Sequence, residues 1–275
     1  MNYRHIYHAG NFADVLKHIV LMQVIGYLQK KDKPYFVLDT HAGVGKYDLQ
    51  GEKHQKTNES DAGILKLLSE SDNNLPDEIQ QYIDLVKSYG SGKIYPGSPE
   101  IIRSMLRSQD KAIFNELHPD DFNELSSLME NYKRVKVENK DAYECMNAIL
   151  PHHIKRGLVL IDPPFEVKNE FDLMANAIKK SYKKFSHGIY ALWYPIKDKE
   201  IVENFYNSLK EFEIKDILTI EFYIDQYEKG KFSGTGLILI NPPWVMEEKM
   251  KEIIPILSNK LSNENGSWKV KKVFE

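Results

Sequence analysis

The chain has 275 residues and a formal net charge of −3, from 37 Lys+Arg against 40 Asp+Glu, with 42% hydrophobic and 11% aromatic residues. That apolar share can build a core and argues against wholesale disorder, and the length suits one large domain or a domain with an insertion. The lack of a membrane-length apolar run, the polar start Met1-Asn2-Tyr3-Arg4-His5 and the lone Cys145 predict a cytoplasmic protein with no membrane span, signal peptide, internal disulfide or paired-thiol metal site.

In chain order, short apolar runs alternate with longer amphipathic stretches, the pattern of an α/β fold with a largely parallel sheet. The segment before the first helix is unusually polar, with Tyr3, Arg4, His5, Tyr7, His8 and Asn11. Its histidines do not form a convincing ligand set for a metal, so none is expected. Asp14 to Gln29 is predicted helical, because Val15, Ile19, Met22, Val24, Ile25 and Leu28 recur near the helical period. This helix carries Lys17 and His18, and His18 reads either as a helix-end or surface imidazole or as a ligand contact.

Tyr35 to Asp39 is a buried strand running into the turn Thr40-His41-Ala42-Gly43-Val44-Gly45. Further strands are expected at Ala112 to Glu116, Arg134 to Glu138, Gly157 to Asp162, Gly188 to Tyr194, Ile214 to Tyr223 and Gly236 to Asn241, seven in all. Residues 48–94 break the rhythm, with about twice the usual connection length between the first two of these strands. Glu59 to Ser71 and Pro76 to Tyr89 are expected to be helical, so 48–94 reads as an inserted helical subdomain within a single domain spanning 1–275. The chain returns through Tyr95-Pro96-Gly97-Ser98-Pro99, where Ser98 is a candidate helix cap or a ligand contact. Asn263 to Glu275 is polar up to Trp268, with room for a short strand at its end.

Four strand ends carry the candidate chemistry. An acid and a Gly-x-Gly turn at Asp39 to Gly45 place bare backbone at the carboxyl edge of a sheet, where a nucleotide-like ligand can approach closely. The dinucleotide fingerprint is incomplete, because Asp48 stands where the third glycine would fall. Glu116 can accept both hydroxyls of a ribose, and Asp141 follows the third strand where an adenine edge would lie; each is also an ordinary turn or cap residue.

The most specific signal is Leu160-Ile161-Asp162-Pro163-Pro164-Phe165. An aromatic exocyclic amine is a poor nucleophile because its lone pair is delocalised into the ring. Two acceptors, the Asp162 carboxylate and the Pro163 carbonyl, can hydrogen-bond its two N–H groups, drawing the nitrogen toward tetrahedral geometry and freeing the lone pair for in-line attack on a methyl group. The prolines stiffen the turn, and Phe165 can stack on a base taken out of its helix. Asn241-Pro242-Pro243-Trp244 is a rival tetrapeptide, but the seventh strand is expected to run antiparallel and to end away from the ligand edge, which makes it structural.

These residues resemble the RlmJ-type 23S rRNA adenine-N6 methyltransferases over nearly the whole chain. The likeness is carried by Tyr3-Arg4-His5, His8-Ala9-Gly10-Asn11, Ala13-Asp14-Val15-Leu16-Lys17-His18, Leu38-Asp39-Thr40-His41-Ala42-Gly43, Tyr95-Pro96-Gly97-Ser98-Pro99, Glu116-Leu117-His118-Pro119, Leu160-Ile161-Asp162-Pro163-Pro164, Gly188 to Pro195 and Asn241 to Trp244. The resemblance implies a Rossmann-like class I S-adenosylmethionine-dependent methyltransferase fold, with a seven-stranded, mostly parallel sheet and a small helical insertion. It implies N6 methylation of one adenine in 23S rRNA; the transfer is expected to be direct, to a flipped-out base, by a monomer without a metal. Carried over residue by residue, Lys17, His18, His41, Gly43, Ser98, Glu116, Asp141, Ala142 and Asp162 would contact S-adenosylmethionine. Asp162, Pro163 and Phe165 would serve catalysis, and Tyr3 and Arg4 would touch the RNA. The family usually has Tyr at the place of Phe165 and Gly at the place of Ala142.

Other readings fit part of the pattern. The same turn could serve a DNA adenine or a protein glutamine amide. A nicotinamide-dependent oxidoreductase would want the missing glycine, and a silent RNA-binding module would have no use for Asp162. The balanced charge leaves RNA binding to local lysine groups: Lys30, Lys31 and Lys33; Lys179, Lys180, Lys183 and Lys184; and Lys269, Lys271 and Lys272 are candidates or simply solvated segments.

Overall fold

A computed structural model describes residues 4–52, 54–69, 75–90 and 92–273. Tyr3, a candidate RNA contact, lies outside the described residues. In chain order the elements are α1 (Phe12–Gln29), β1 (Phe36–Asp39), β2 (Lys46–Asp48), α2 (Ile64–Ser69), α3 (Asp77–Ser88), β3 (Ile94–Pro96), α4 (Ser98–Met105), β4 (Lys111–Asn115), α5 (Pro119–Met129) and β5 (Val135–Glu138). They continue with α6 (Ala142–Ile149), β6 (Gly157–Ile161), α7 (Glu170–Lys184), β7 (Ile189–Ile196), α8 (Lys199–Glu211), β8 (Ile217–Tyr223), β9 (Gly234–Ile240), α9 (Met246–Leu261) and β10 (Ser267–Lys272).

The main sheet has eight strands in the order β10-β8-β9-β7-β6-β1-β4-β5. All seven expected strands are present, and the eighth is β10, which pairs antiparallel with β8 so that Trp268 faces Phe222 and Lys269 faces Glu221. β7, β6, β1, β4 and β5 are mutually parallel, whereas β9 runs antiparallel to both β7 and β8. The central strands are buried along their length (Phe36–Asp39, Gly157–Ile161), because helices cover both faces and no side chain reaches water. One apolar layer joins α1, α3, α4 and α9 to one face, and a second joins α6, α7 and α8 to the other.

α1 begins earlier than its apolar spacing suggests. Asn11 caps it by accepting from the amides of Ala13 and Asp14, so Phe12 and Ala13 are already helical. The helix buries 14 of its 18 residues, including Asp14, Lys17 and His18. His18 is therefore neither a surface nor a helix-end imidazole but a core residue with 1% exposure.

The stretch between β2 and β3 departs from expectation in its helices. Glu59–Ala62 is a short 3-10 turn, and α2 starts only after Gly63. Gly63 leaves the helical region at this break (φ −116°, ψ −114°), and only glycine fits there: a β-carbon would sit 2.1 Å from the Gly10 carbonyl oxygen, which accepts from the Ile64 amide at 2.8 Å. α3 starts after Pro76 and ends at Ser88, one residue inside the expected span at each end. β2 and β3 pair antiparallel, with Asp48 opposite Ile94, and so bracket this stretch. Its Ile64, Leu67, Ile79, Tyr82, Ile83 and Val86 belong to the same apolar cluster as α1.

Candidate active site

The carboxyl ends of the parallel strands β6, β1, β4 and β5 converge on one edge of the sheet, and a cavity of about 650 Å³ opens there. Its lining includes Lys17, His18, His41, Gly43, Ser98, Glu116, Asp141, Ala142 and Asp162, so all nine residues expected at a cofactor stand together. Thr40, Tyr47, Asp121, Tyr143, Glu166 and Glu170 also line it and were not singled out from the sequence.

The glycine turn forms the floor. Gly43 and Gly45 have φ of +63° and +82°, the left-handed region that a side chain disfavours. A β-carbon at Gly43 would also lie 2.1 Å from the Tyr47 hydroxyl. The Gly43 amide donates to Glu116 Oε2 at 2.8 Å, and the His118 amide donates to Glu116 Oε1 at 2.8 Å, so the carboxylate after β4 is clamped against the turn after β1. Burial pushes the Glu116 carboxyl up, and these two amides hold it back.

Asp141 caps α6, its Oδ1 accepting from the amides of Tyr143 and Glu144 at 2.9 and 3.0 Å. Capping and pocket lining thus coincide in this residue. Ser98 is not a cap: Gly97 takes that position, and Ser98 is the first helical residue, followed by Pro99.

His41 Nδ1 lies 2.8 Å from the Thr40 hydroxyl, and that hydroxyl donates its one proton to the Leu160 carbonyl at 3.0 Å. The imidazole must therefore donate from Nδ1, leaving Nε2 as an acceptor. Burial pushes His41 down to about 4, against the attraction of Asp162 and Asp141, and keeps it neutral. Burial takes His18 down to about 3. Beneath the turn, burial pushes Asp39 up to about 7, opposed by the Ser98 side chain. Its Oδ2 has no hydrogen-bond partner among the described residues.

Asp162 follows β6 at the centre of the edge, with its side chain 14% exposed. Lys17 reaches it from α1: the ammonium bonds Asp162 Oδ2 and, at 2.6 Å, Asp14 Oδ1. Asp14 in turn accepts from His5 Nε2 and the Gly10 amide, both at 2.9 Å. Burial pulls the Lys17 ammonium down, but Asp14 and Asp162 outweigh it and hold the group well above its ordinary value. Burial raises Asp14, but His5 and Lys17 more than reverse that and leave it firmly ionised. Lys17 is thus a cation committed to two carboxylates. The clue available in sequence was the Asp14–Lys17 spacing on a helix too apolar to leave either charge in water.

The remaining expected residues are placed differently. Pro163 is buried after Asp162, and Pro164 lines the cavity. Phe165 does not line it: its φ is +51°, and its half-buried ring packs 4.8 Å from Phe171 and 5.8 Å from Trp193, drawn toward the second apolar layer. Arg4 bonds Asp121 at 2.6 Å on α5. Asn241 to Trp244 follow the antiparallel β9 at the opposite end of the sheet, where the Asn241 amide donates to the carbonyls of Ser186 and Gly188 at 2.8 and 2.7 Å.

The described lining carries the carboxyl groups of Glu116, Asp121, Asp141, Glu144, Asp162, Glu166 and Glu170 against the single lysine Lys17. Such a cavity attracts a cationic ligand and repels a pyrophosphate, which goes against a nicotinamide dinucleotide. A sulfonium cofactor bearing a ribose and an adenine fits it, with Glu116 at the glycine turn and Asp141 and Ala142 at the neighbouring strand end. Among the described residues, no group of three or more His, Cys, Asp or Glu is arranged to hold a metal, and no helix is long and apolar enough to cross a membrane.

The strand order, the antiparallel strand inserted beside β7 and the acidic cavity at the glycine turn define a Rossmann-like class I methyltransferase. The family described as Ribosomal RNA large subunit methyltransferase D, RlmJ, matches residues 32–274. The chain belongs to this ribosomal RNA methyltransferase family. It is 42% identical to ribosomal RNA large subunit methyltransferase J of Haemophilus influenzae over 277 residues, covering 98% of each chain. It is 42% identical to the protein of the same name from Escherichia coli, covering 95% of this chain and 94% of that one. A crystal structure of a Legionella pneumophila protein superposes with a TM-score of 0.90 at 38% identity, covering 96% of this chain and 98% of that one.

Proposed function

We propose that this chain uses S-adenosylmethionine to methylate N6 of one adenine in 23S rRNA, acting in the cytoplasm as a monomer. The observation that carries the reading is the meeting of Asp162, the glycine turn and the clamped Glu116 in one acidic cavity. Membership of a family whose curated relatives are named as large-subunit rRNA methyltransferases supports the substrate class. S-adenosylmethionine supplies an electrophilic methyl group on a sulfonium.

The chain's own residues supply orientation and acceptors. Glu116 and Asp141 would hold the ribose and adenine side of the cofactor, with Lys17, His18, His41, Gly43, Ser98 and Ala142 completing its surroundings. Neutral His41 offers Nε2 as an acceptor for an ammonium or an amine. Asp162, ion-paired with Lys17, and the Pro163 carbonyl would accept the two N–H groups of the flipped adenine, so that the lone pair turns toward the methyl. Phe165 would meet the base with the outer face of its half-buried ring, and Tyr3 and Arg4 would meet the RNA. Residues 48–94 are taken as a subdomain inserted within the single domain 1–275.

The test is methyl transfer from labelled S-adenosylmethionine to unmodified 23S rRNA, with mass mapping of the product and Asp162→Ala as control. Labelled N6-methyladenine at one site, lost in the variant, is the expected result. Cofactor binding without label on rRNA would reject the RNA assignment and transfer attention to DNA adenine or a protein amide.

A further inference from the structure

A second cavity, of about 290 Å³, lies where β8 ends and β10 begins, and the methyl-transfer reading makes no use of it. Its size is at the small end for ligand pockets, closer to one base than to a whole cofactor. Trp268, 41% exposed, lines one side. Lys199 and Lys269 stand at the rim with Glu203, and Glu221, only 6% exposed, lies beneath. The Lys199 ammonium is held over the rings of Tyr223 and Tyr227, at 5.0 and 4.2 Å from their centroids. The Tyr206 and Tyr223 hydroxyls donate to the two oxygens of Glu221 at 2.8 and 3.1 Å, and burial pushes both phenols up so that they keep their protons.

β8 runs parallel to β7, so this cavity opens on the same edge of the sheet as the methyl-transfer cavity. From β6 to β8 there are three inter-strand steps, about 14 Å at roughly 4.8 Å each, a distance a few nucleotides bridge.

We propose that this second cavity receives an unpaired base of the same RNA, stacked on Trp268, with its backbone against Lys199 and Lys269. The inference rests on the reading that the substrate is RNA. Both Glu221 oxygens accept from tyrosine hydroxyls, so the floor presents acceptors and favours bases with an exocyclic amine. The rim lysines meet phosphates that stay outside. Stacking is the usual source of affinity for single-stranded nucleic acid, worth about 1–3 kcal/mol per base.

The test compares wild type, Trp268→Ala and the Lys199→Ala, Lys269→Ala double variant on two substrates. One is a 23S rRNA fragment with long flanks around the target adenine, and the other is an oligonucleotide too short to span both cavities. Trp268→Ala is expected to raise KM for the long RNA roughly five- to hundredfold. KM for the short one should stay within twofold, as should the Kd for S-adenosylmethionine. The lysine variant should also flatten the salt dependence of long-RNA binding measured by anisotropy. Unchanged long-RNA binding in both variants, or an equal loss on both substrates, would overturn the proposal. If wild type binds the RNA through Trp268 yet transfers no label to it, the methyl-acceptor reading fails while this one stands.

Discussion

His18 Nδ1 lies 2.7 Å from the Tyr95 hydroxyl, which lies 2.9 Å from the hydroxyl of Tyr82. All three side chains are essentially excluded from water, so α1, β3 and α3 are tied by a chain of polar groups with no solvent to substitute for a lost partner. Tyr95→Phe leaves both His18 and Tyr82 unsatisfied and is expected to cost about 1–3 kcal/mol, read by urea denaturation. Tyr82→Phe should cost less, because the Tyr95 hydroxyl still reaches His18. Equal costs would show that the chain is not read in this order.

Asp162→Asn should lower kcat by about 10² to 10³ while changing cofactor affinity only a few-fold, since one charged acceptor for the amine is replaced by a neutral amide. The Lys17–Asp14 pair survives this change, so the fold is expected to persist. A variant with wild-type kcat would remove Asp162 from the chemistry.

Glu116→Gln should act on binding instead. Both carboxylate oxygens accept backbone amides, and glutamine retains only one acceptor atom. A cofactor Kd weaker by about 10- to 100-fold is expected in calorimetry, given the strength of hydrogen bonds to a carboxylate. Retained affinity would place the ribose elsewhere.

Three buried groups set opposing pH dependences. His18 and His41 fall to about 3 and about 4 in the folded protein, from about 6.5 in an unfolded chain. The native state binds fewer protons than the unfolded state, so their contribution is complete above pH ~6.5 and is lost as pH falls toward those values. Asp39 rises to about 7 from an unfolded value of about 3.9, so the native state holds the extra proton. Its contribution is complete below pH ~3.9 and is lost as pH rises through 7. His18→Gln should therefore flatten the loss of stability between pH 6.5 and 4.5, and Asp39→Asn should steepen it, as followed by denaturation midpoints at each pH. Parallel profiles for both variants and wild type would contradict these assignments.

The strand ends were legible in sequence because a buried parallel strand is a continuous apolar run, and the acid or glycine that stops it is conspicuous. Asp39, Glu116 and Asp162 were found in this way. Asn11 as the cap of α1 and the break at Gly63 were missed, the second because it depends on the backbone of Gly10, remote in sequence. The reach of Lys17 to Asp162 was equally hidden, since Asp162 lies 145 residues further along the chain, whereas the Asp14–Lys17 spacing on α1 was open to view. β10 was only half visible because its exposed Ser267–Lys272 segment has little of the apolar character that marks a strand. The packing of Phe165 was hidden for a different reason: its ring type suits stacking on a base, but the left-handed turn also sets one side of the ring against Phe171 and Trp193.

The burial of α1 on all sides ties function to cooperativity. Lys17 and His18 sit on a helix that runs through the interior, so this wall of the acidic cavity cannot loosen while the rest of the protein holds. Heat inactivation and the global melting transition should then superimpose, and a stabilising substitution anywhere along α1 should raise both midpoints together.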